Sequence, residues 1–210
     1  MKTAEQILKT KEFIRAEMDK ALPKEQSDRL WQKASDRLAE ILDRYSSLPK
    51  GLCFHTHRYI FPAAAVYLTL KEAIGKEMAY RIIEDAAIAN TEPMGRKIAG
   101  MMRIPGMPAL FLRIWDPLTK RMFGTENGFK NVYYPKKKNE YRMDITACPY
   151  CRFLAELGCP ELTKIYCEND DRVYGNLPGI KFERTGTLGK GADRCDLLAN
   201  KYCFCLLTSI

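Results

Sequence analysis

At 210 residues with 46% hydrophobic content, the chain is long enough to bury a core and has the composition of an ordinary globular protein. No apolar run approaches the roughly 20 residues of a membrane span, and the start of the chain lacks the features of a signal peptide, so we expect a cytoplasmic protein with no membrane partner. The net charge of +8 has one dense cluster, Lys136-Lys137-Lys138, which is typical of a solvated hairpin tip; the rest is dispersed, which argues against a nucleic-acid partner and suits an anionic small molecule.

Helical patterns fill the first part of the chain, residues 1–125. Apolar residues at spacings of three and four indicate amphipathic helices. They predict helices over residues 5–22, 30–45, 63–72, 76–89 and 110–122. We expect Pro93 to begin a further helix, because proline is favoured at the first helical position. The apolar face of the last helix is wide enough to be a central packing element.

The pattern changes to strands in residues 126–210. Alternating apolar and polar side chains predict strands over residues 132–134, 141–146, 180–185 and 195–199. Helices are expected from Pro149 to Gly158 and from Pro160 to about Cys167. Two hairpin-like pairs around a helical crossover predict an α+β fold, in which a mostly helical N-terminal two thirds packs on a small, mainly antiparallel sheet. We expect residues 1–210 to form a single domain.

Eight cysteines are many for a protein expected in a reducing compartment. Most are expected to be buried small hydrophobes, including Cys203 and Cys205 in a buried last strand. Cys148 is the best candidate for reactivity, because Pro149 would start a helix with Cys148 as its N-cap. The positive end of a helix dipole lowers the pKa of a thiol and so favours the nucleophilic thiolate. A capping cysteine that never reacts is the alternative.

A thiol redox function is a competing interpretation. Cys148-Pro149-Tyr150-Cys151 matches the active-site tetrad of glutaredoxins, and the predicted strand and helix around it fit. A glutaredoxin, however, starts with the strand that leads into its motif, and it needs two more helices and three more strands afterwards. Here most of the chain precedes the motif.

A metal site is another competing interpretation. Four cysteines could supply zinc ligands, but only the first two have the short spacing of a zinc knuckle: Cys148, Cys151, Cys159 and Cys167. Cys53, His55 and His57 form a second candidate set. Those three side chains would share one face on a strand but not on a helix, and a polar loop entering a helix is the alternative.

The glycine-rich segment 185–191 lacks the Walker order of a phosphate loop, and no helix is predicted after it. It fits a hairpin turn whose backbone amides approach a ligand. Thr187 could donate a hydroxyl, and Asp193 or Asp196 could accept a proton. An ordinary turn with polar residues is the alternative.

A series of different short motifs lies along residues 148–196. The motifs are Cys148-Pro149-Tyr150, Leu157-Gly158, Pro160-Glu161-Leu162, Cys167-Glu168, Asp170-Asp171, Leu177-Pro178-Gly179, Phe182-Glu183-Arg184 and the run from Thr187 to Asp196. In order and spacing they resemble the L-2-amino-thiazoline-4-carboxylic acid hydrolase family. The resemblance implies hydrolysis of a C–N bond in a cyclic amidine-like acid of the 2-aminothiazoline-4-carboxylate type, which opens the ring to a carbamoyl-cysteine.

A mechanism consistent with the residues and with the resemblance can be stated as a hypothesis. Cys148 attacks the amidine carbon, Asp171 or Asp193 relays the proton, and Cys195 lines the same pocket. The substrate-binding residues are expected to be Tyr150, Cys167, Asp170, Thr187, Gly189 and Gly191. No cofactor is expected, with a water-activating metal held by Cys148, Cys167 or Cys195 as the alternative.

Two other function classes stay open beside the hydrolase. One is a non-catalytic small-molecule-binding or sensory module, with the helices as a lid and the sheet as a platform. The other is the thiol-redox or metal-binding protein described above. A homo-oligomer is compatible with each of them.

Overall fold

The computed structural model describes residues 2–135 and 137–202. Within these ranges it has nine α-helices: α1 (Ala4–Leu8), α2 (Glu12–Ala21), α3 (Lys24–Arg44), α4 (Lys50–His55), α5 (Phe61–Ile74), α6 (Lys76–Met102), α7 (Met107–Met122), α8 (Pro149–Glu156) and α9 (Leu162–Tyr174). Short 3-10 turns cover Lys9–Lys11, Thr125–Asn127 and Leu188–Lys190, and a π-helical turn covers Thr56–Ile60. The strands are β1 (Lys130–Tyr133), β2 (Glu140–Ala147), β3 (Ile180–Glu183) and β4 (Cys195–Lys201).

The four strands form one antiparallel sheet in the order β1-β2-β4-β3. Each hairpin pairs neighbouring strands, and β2 joins the two hairpins by pairing with β4, where Met143 lies opposite Leu197. Alternate residues of β2 and β4 are buried, as expected of a sheet with one covered face. The predicted α+β class, with helices first and a small antiparallel sheet in the C-terminal part, is confirmed.

Two clusters of apolar side chains hold the fold together. The larger one lies among the helices and includes Met18, Leu38, Tyr67 and Phe153, all fully buried. The smaller one lies between the sheet and α7 and is centred on Met143. Burial of aliphatic and aromatic side chains in such clusters contributes roughly 1.5–3 kcal/mol each, so these two cores fix where the helices meet the sheet.

Several predicted helix boundaries are wrong; for example, the helix expected to end at about Cys167 is α9, which runs to Tyr174. The helix expected over residues 5–22 is interrupted by the Lys9–Lys11 turn. The break expected at Pro93 does not occur, because α6 runs through it. Proline removes one backbone donor and normally breaks a helix, but here packing of α6 on α2, α5 and α9 keeps the helix continuous. Local preference is overridden by tertiary contacts in both cases.

The expected central packing role of α7 is also wrong. One face of α7 covers β2 and β4 through Leu112 and Trp115. Leu110, Ile114 and Leu118 lie on its other face and are 47%, 51% and 47% exposed. Among the described residues, α7 lies over the sheet and makes few contacts with the helical core. Part of its apolar surface is therefore buried against the sheet, and the rest is exposed.

No helix in ranges 2–135 and 137–202 has both the length and the apolar character that crossing a membrane requires. The predicted buried strand end at Cys203 and Cys205 lies outside the described residues, and so does Lys136 of the lysine cluster.

Candidate active site

A cavity of about 300 Å³ lies where the helical part meets the sheet. Its wall is mostly apolar and aromatic and is built from α6, α8, α9, β2 and β4, together with residues near the start of α2. Five of the residues predicted from the sequence lie on this wall: Cys148, Tyr150, Cys167, Asp170 and Cys195. A concave, largely apolar wall with a few convergent polar groups is the usual form of a small-molecule site.

Among the described cysteines that line the cavity, Cys167 in α9 is the one whose thiol pKa is lowered. A hydrogen bond from the Cys195 thiol is the main cause that lowers its pKa to about 6. The Thr187 hydroxyl and the Gly189 backbone N–H also lower it, and the positive charge of Arg184 adds to them, whereas burial opposes the shift. Since the lowered pKa is below 7, Cys167 is mainly a thiolate at neutral pH.

Cys195 is the first residue of β4 and acts as a donor to Cys167. Its hydrogen bond to Cys167, together with burial, raises the pKa of Cys195 far above the ordinary thiol value. The backbone N–H of Leu188 donates to the Cys195 sulfur at 3.2 Å. The two thiols therefore form an ordered pair in which Cys195 keeps its proton and Cys167 loses it.

Gly189 is required by close packing against the thiolate. A Cβ at this position would lie 2.7 Å from Sγ of Cys167 and 2.9 Å from Cγ2 of Thr163. The hydroxyl of Thr187 is buried beside this turn. Gly191 differs, because it ends the turn with φ of +88° and its missing Cβ faces open space. The structure thus gives Gly191 a role in the turn and does not place it at the cavity.

Asp170 follows Cys167 by three residues in α9, so the two side chains lie on the same face of the helix. The Asp170 side chain is 47% exposed, but the protein atoms packed around its carboxyl raise its pKa to about 6, against the lowering effect of Arg184. Arg184, the first residue after β3, has a side chain that is only 5% exposed. Its guanidinium donates to Oδ2 of Asp170 at 3.2 Å and to the backbone oxygen of Cys167 at 2.5 Å. Asp170 is therefore a cavity-facing acid that exchanges its proton near neutral pH.

The structure does not bring Asp171 or Asp193 to the cavity wall. Asp171 is rotated by about 100° from Asp170 around α9, and it accepts a hydrogen bond from Arg184 at 2.7 Å while facing Lys190. Asp193 is 84% exposed and lies 3.9 Å from Arg194. The proton relay expected of these two residues is therefore not supported, and Asp170 is the acid in the position to perform it.

Cys148 is the N-cap of α8, as predicted. The expected lowering of its pKa is wrong. Cys148 donates a hydrogen bond to Cys151, and that bond, with burial added, raises the pKa of Cys148 well above the ordinary thiol value. The same bond lowers the pKa of Cys151. Cys148 is thus a protonated thiol on the wall.

The redox and metal interpretations find little structural support. After α8, the described residues contain α9 and two strands, fewer elements than a glutaredoxin-type domain needs. Within residues 2–135 and 137–202, no three His, Cys, Asp or Glu side chains lie close enough together to hold a metal ion. Residues 53–57 run through α4 into the π-helical turn, so the side chains of Cys53, His55 and His57 do not share one face.

His55 instead orients Tyr150. Its Nε2 lies 2.8 Å from the backbone oxygen of Met122, which only accepts, so Nε2 carries the hydrogen. Its Nδ1 lies 3.0 Å from the Tyr150 hydroxyl and therefore accepts from it. Burial lowers the pKa of His55, which keeps the ring neutral. The π-helical turn that follows His55 is a distortion often seen at functional sites.

Sequence reasoning missed three of the polar residues on the wall: Lys11, His55 in its actual role, and Arg184. His55 had one local signal, because it is one of only two histidines in the chain. Arg184 belongs to one of the motifs that carry the family resemblance, but its residue type and position alone predicted no role for it. Lys11 had no local signal, since it lies within a stretch that reads as an ordinary amphipathic helix.

Comparison with protein families identifies a family for most of the chain. The family model described as L-2-amino-thiazoline-4-carboxylic acid hydrolase matches residues 53–198. No curated protein and no solved structure matches the chain. The matched range holds the thiolate, the acid and the arginine described above, whereas Lys11 lies outside it. Because the match covers more than half of its residues, the chain belongs to the L-2-amino-thiazoline-4-carboxylic acid hydrolase family.

Proposed function

We propose that this protein is a thiol-dependent hydrolase that acts on a C–N bond of a cyclic amidine-like acid of the 2-aminothiazoline-4-carboxylate type. The observation that carries the proposal is the Cys167 sulfur on the cavity wall, where four neighbouring groups lower its pKa to about 6. This replaces Cys148, which keeps its proton. An activated thiolate facing a small cavity is the arrangement that covalent catalysis requires.

In the first step, the Cys167 thiolate attacks the amidine carbon and forms a C–S bond. The electron pair of the C=N bond moves to nitrogen, and Asp170 supplies a proton to the ring nitrogen. The C–N bond then breaks as the exocyclic amino nitrogen forms a C=N bond to the same carbon. The ring nitrogen leaves with the electron pair of the broken bond and takes a proton from the exocyclic nitrogen, so that it departs as an amine. A general acid works best when its pKa lies near the working pH, and the pKa of Asp170, raised to about 6, keeps a fraction of its carboxyl protonated at neutral pH.

In the second step, water adds to the same carbon and Asp170 takes a proton from it. The C=N electrons move to the exocyclic nitrogen, which takes the remaining proton of the added hydroxyl. The C–S bond to the enzyme breaks, its electrons return to Cys167, and the carbon leaves as the carbamoyl group of the product. Cys195 supports both steps, because its thiol donates to the Cys167 sulfur whenever that sulfur carries negative charge. Arg184 holds Asp170 and the backbone of Cys167 in place and so fixes the distance between acid and nucleophile.

The decisive experiment is Cys167→Ser, assayed with 2-aminothiazoline-4-carboxylate by the appearance of the carbamoyl product. We expect kcat to fall by at least about a thousandfold, because the nucleophile is removed. Cys53→Ser is the matched control, since Cys53 lies off the cavity and burial raises its thiol pKa. It should keep the wild-type rate.

Iodoacetamide alkylation followed by mass spectrometry gives an independent measurement. We expect Cys167 to react fastest at neutral pH, with a rate that rises through a midpoint near pH 6. Retained turnover in Cys167→Ser, or uniformly slow thiols, would contradict the proposal. The second result together with tight ligand binding would favour the non-catalytic binding module, for which the largely apolar wall is suited.

A further inference from the structure

The N-terminal segment contributes part of the cavity wall even though it precedes the family match. Lys11, Phe13 and Ile14 line the cavity, whereas the family model begins at residue 53. The 3-10 turn Lys9–Lys11 ends just before α2 begins, and this interruption of the helix sets the position of Lys11. The turn that separates α1 from α2 therefore places Lys11 at the cavity.

Lys11 is unusually buried for a lysine. The residue is only 8% exposed, and lysines are almost never fully buried unless they are paired. Its ammonium lies 5.1 Å from the ring centre of Tyr59 and 5.8 Å from that of Phe13. Among residues 2–135 and 137–202, no carboxylate comes within ion-pair distance of it. The ammonium therefore lies against aromatic rings, whose faces attract a cation.

The other cation on the cavity wall is already neutralised. In the described part of the chain, Lys11 and Arg184 are the lysine and arginine side chains that line the cavity. Arg184 pairs with Asp170 at 3.2 Å and with Asp171 at 2.7 Å. An incoming anion therefore gains little from Arg184 and much from Lys11, because an unpaired charge in a poorly hydrated site is strongly stabilised by a counter-ion.

We propose that Lys11 binds the carboxylate of the substrate and that the N-terminal segment thereby selects acids over neutral analogues. This inference rests on the proposed function for the identity of the substrate. The groups that contact Lys11 and those that contact Cys167 are different residues, so carboxylate and amidine carbon would be held at separate parts of the wall. Lys11 is a specificity residue, while Cys167 and Asp170 perform the chemistry.

The protonation of Lys11 gives the proposal a pH signature. Burial and the neighbouring charge of Arg58 lower the pKa of Lys11 to about 8. Tyr59 is a titratable neighbour of Lys11. The His55 ring lies 6.4 Å beyond the Tyr59 ring, and burial lowers the pKa of His55, which keeps it neutral. Lys11 thus keeps its charge at neutral pH and loses it as the pH rises through 8, while the substrate carboxylate stays ionised.

The test measures ligand binding by calorimetry in full-length Cys167→Ser, which cannot turn the ligand over through this thiol. The ligands are 2-aminothiazoline-4-carboxylate and its carboxamide, and the added changes are Lys11→Met and Lys11→Arg. We expect Lys11→Met to weaken binding of the acid by about tenfold to a hundredfold, the effect of one charge-assisted hydrogen bond. Binding of the carboxamide should change little. Lys9→Met, an exposed lysine of the same turn, is the matched control.

A second measurement does not depend on the stability of the Lys11→Met variant. Acid affinity in Cys167→Ser should fall as the pH rises from 7 to 9.5, and Lys11→Arg should remove that fall because arginine keeps its charge. A preference for acid retained in Lys11→Met, a flat pH dependence, or no binding of either ligand would overturn the proposal. Because binding is read without Cys167, an incorrect nucleophile assignment leaves these results unaffected.

Discussion

Cys148 and Cys167 border the same cavity, but their pKa values move in opposite directions. Cys148 donates a hydrogen bond to Cys151 and is buried, so its pKa rises. Cys167 accepts from Cys195 and from the Gly189 backbone, so its pKa falls. The dipole at a helix start is worth about 0.3–1 kcal/mol, which a direct hydrogen bond and burial readily exceed. The number of donors around each sulfur decides which thiol ionises.

The donor from Gly189 can be removed by a single methyl group. In Gly189→Ala the added Cβ would lie 2.7 Å from Sγ of Cys167 and 3.2 Å from the backbone carbon of Thr163. The turn must then shift, and its N–H moves away from the sulfur. We expect the pKa of Cys167 to rise by about one unit, which slows alkylation at pH 6 about fivefold. The alkylation rate measured against pH gives the midpoint directly.

Gly100→Ala is the control for this change. Gly100 lies in α6, and nothing comes within 4 Å of the Cβ that alanine would add. Its alkylation midpoint should equal that of the wild-type protein. If Gly189→Ala also leaves the midpoint unchanged, the Gly189 N–H does not stabilise the thiolate.

At the scale of elements, α9 carries both Cys167 and Asp170, and α6 is the helix against which it packs most extensively. The two helices come close together at Gly95 of α6. A Cβ there would lie 3.0 Å from the backbone oxygen of Arg172 and 3.4 Å from Cα of Val173. Because both atoms belong to the backbone of α9, the absence of a side chain at Gly95 sets the spacing of the two helices.

The two glycines of α6 should therefore respond in opposite ways to alanine. In the open position, Gly100→Ala should stabilise the protein by about 0.5–1 kcal/mol through the higher helix propensity of alanine. Gly95→Ala should destabilise it by about 1 kcal/mol, because overpacking forces α9 away. Urea unfolding with equal m values would give both free energies of unfolding. Equal stabilisation by the two changes would show that α9 yields freely.

Periodicity predicted most elements, because β2, β4 and most helices bury one face and show it in the sequence. It failed where packing overrides local preference, as at Pro93 inside α6 and at the Lys9–Lys11 turn. Neither exception has a local signal, since proline usually ends a helix and the residues around Lys11 form a good helical stripe. The Lys9–Lys11 turn borders the cavity. Pro93 lies in α6, the helix on which α9 packs most extensively.

At the scale of the whole molecule, the cavity unites side chains that are far apart in sequence. The motif around Cys148 and Cys167 could be predicted to matter, because several reactive groups occur close together in the chain. The roles of His55, Arg184 and Lys11 could not, since each depends on contacts between different elements. For the same reason the sequence alone favoured Cys148, whose N-cap position is visible locally, over Cys167, whose donors come from the turn and from β4.

The ionised Cys167 links the chemistry of the site to the stability of the fold. Folding lowers its pKa from about 8.5, the ordinary value of a free thiol, to about 6. Between these pH values the unfolded chain binds a proton that the folded protein releases, so the free energy of unfolding increases as the pH rises. This stabilisation is fully present above about pH 8.5 and is lost as the pH falls through 6.

Urea unfolding at several pH values from 6 to 8 measures this linkage. We expect the wild-type protein to gain stability over that interval and Cys167→Ser to gain distinctly less, because serine does not ionise there. Cys53→Ser should keep the wild-type slope, since burial raises the pKa of the Cys53 thiol and it stays protonated throughout. Equal slopes in wild type and Cys167→Ser would mean that Cys167 holds its proton in the folded protein, and the nucleophile would then have to be sought among the remaining thiols of the wall.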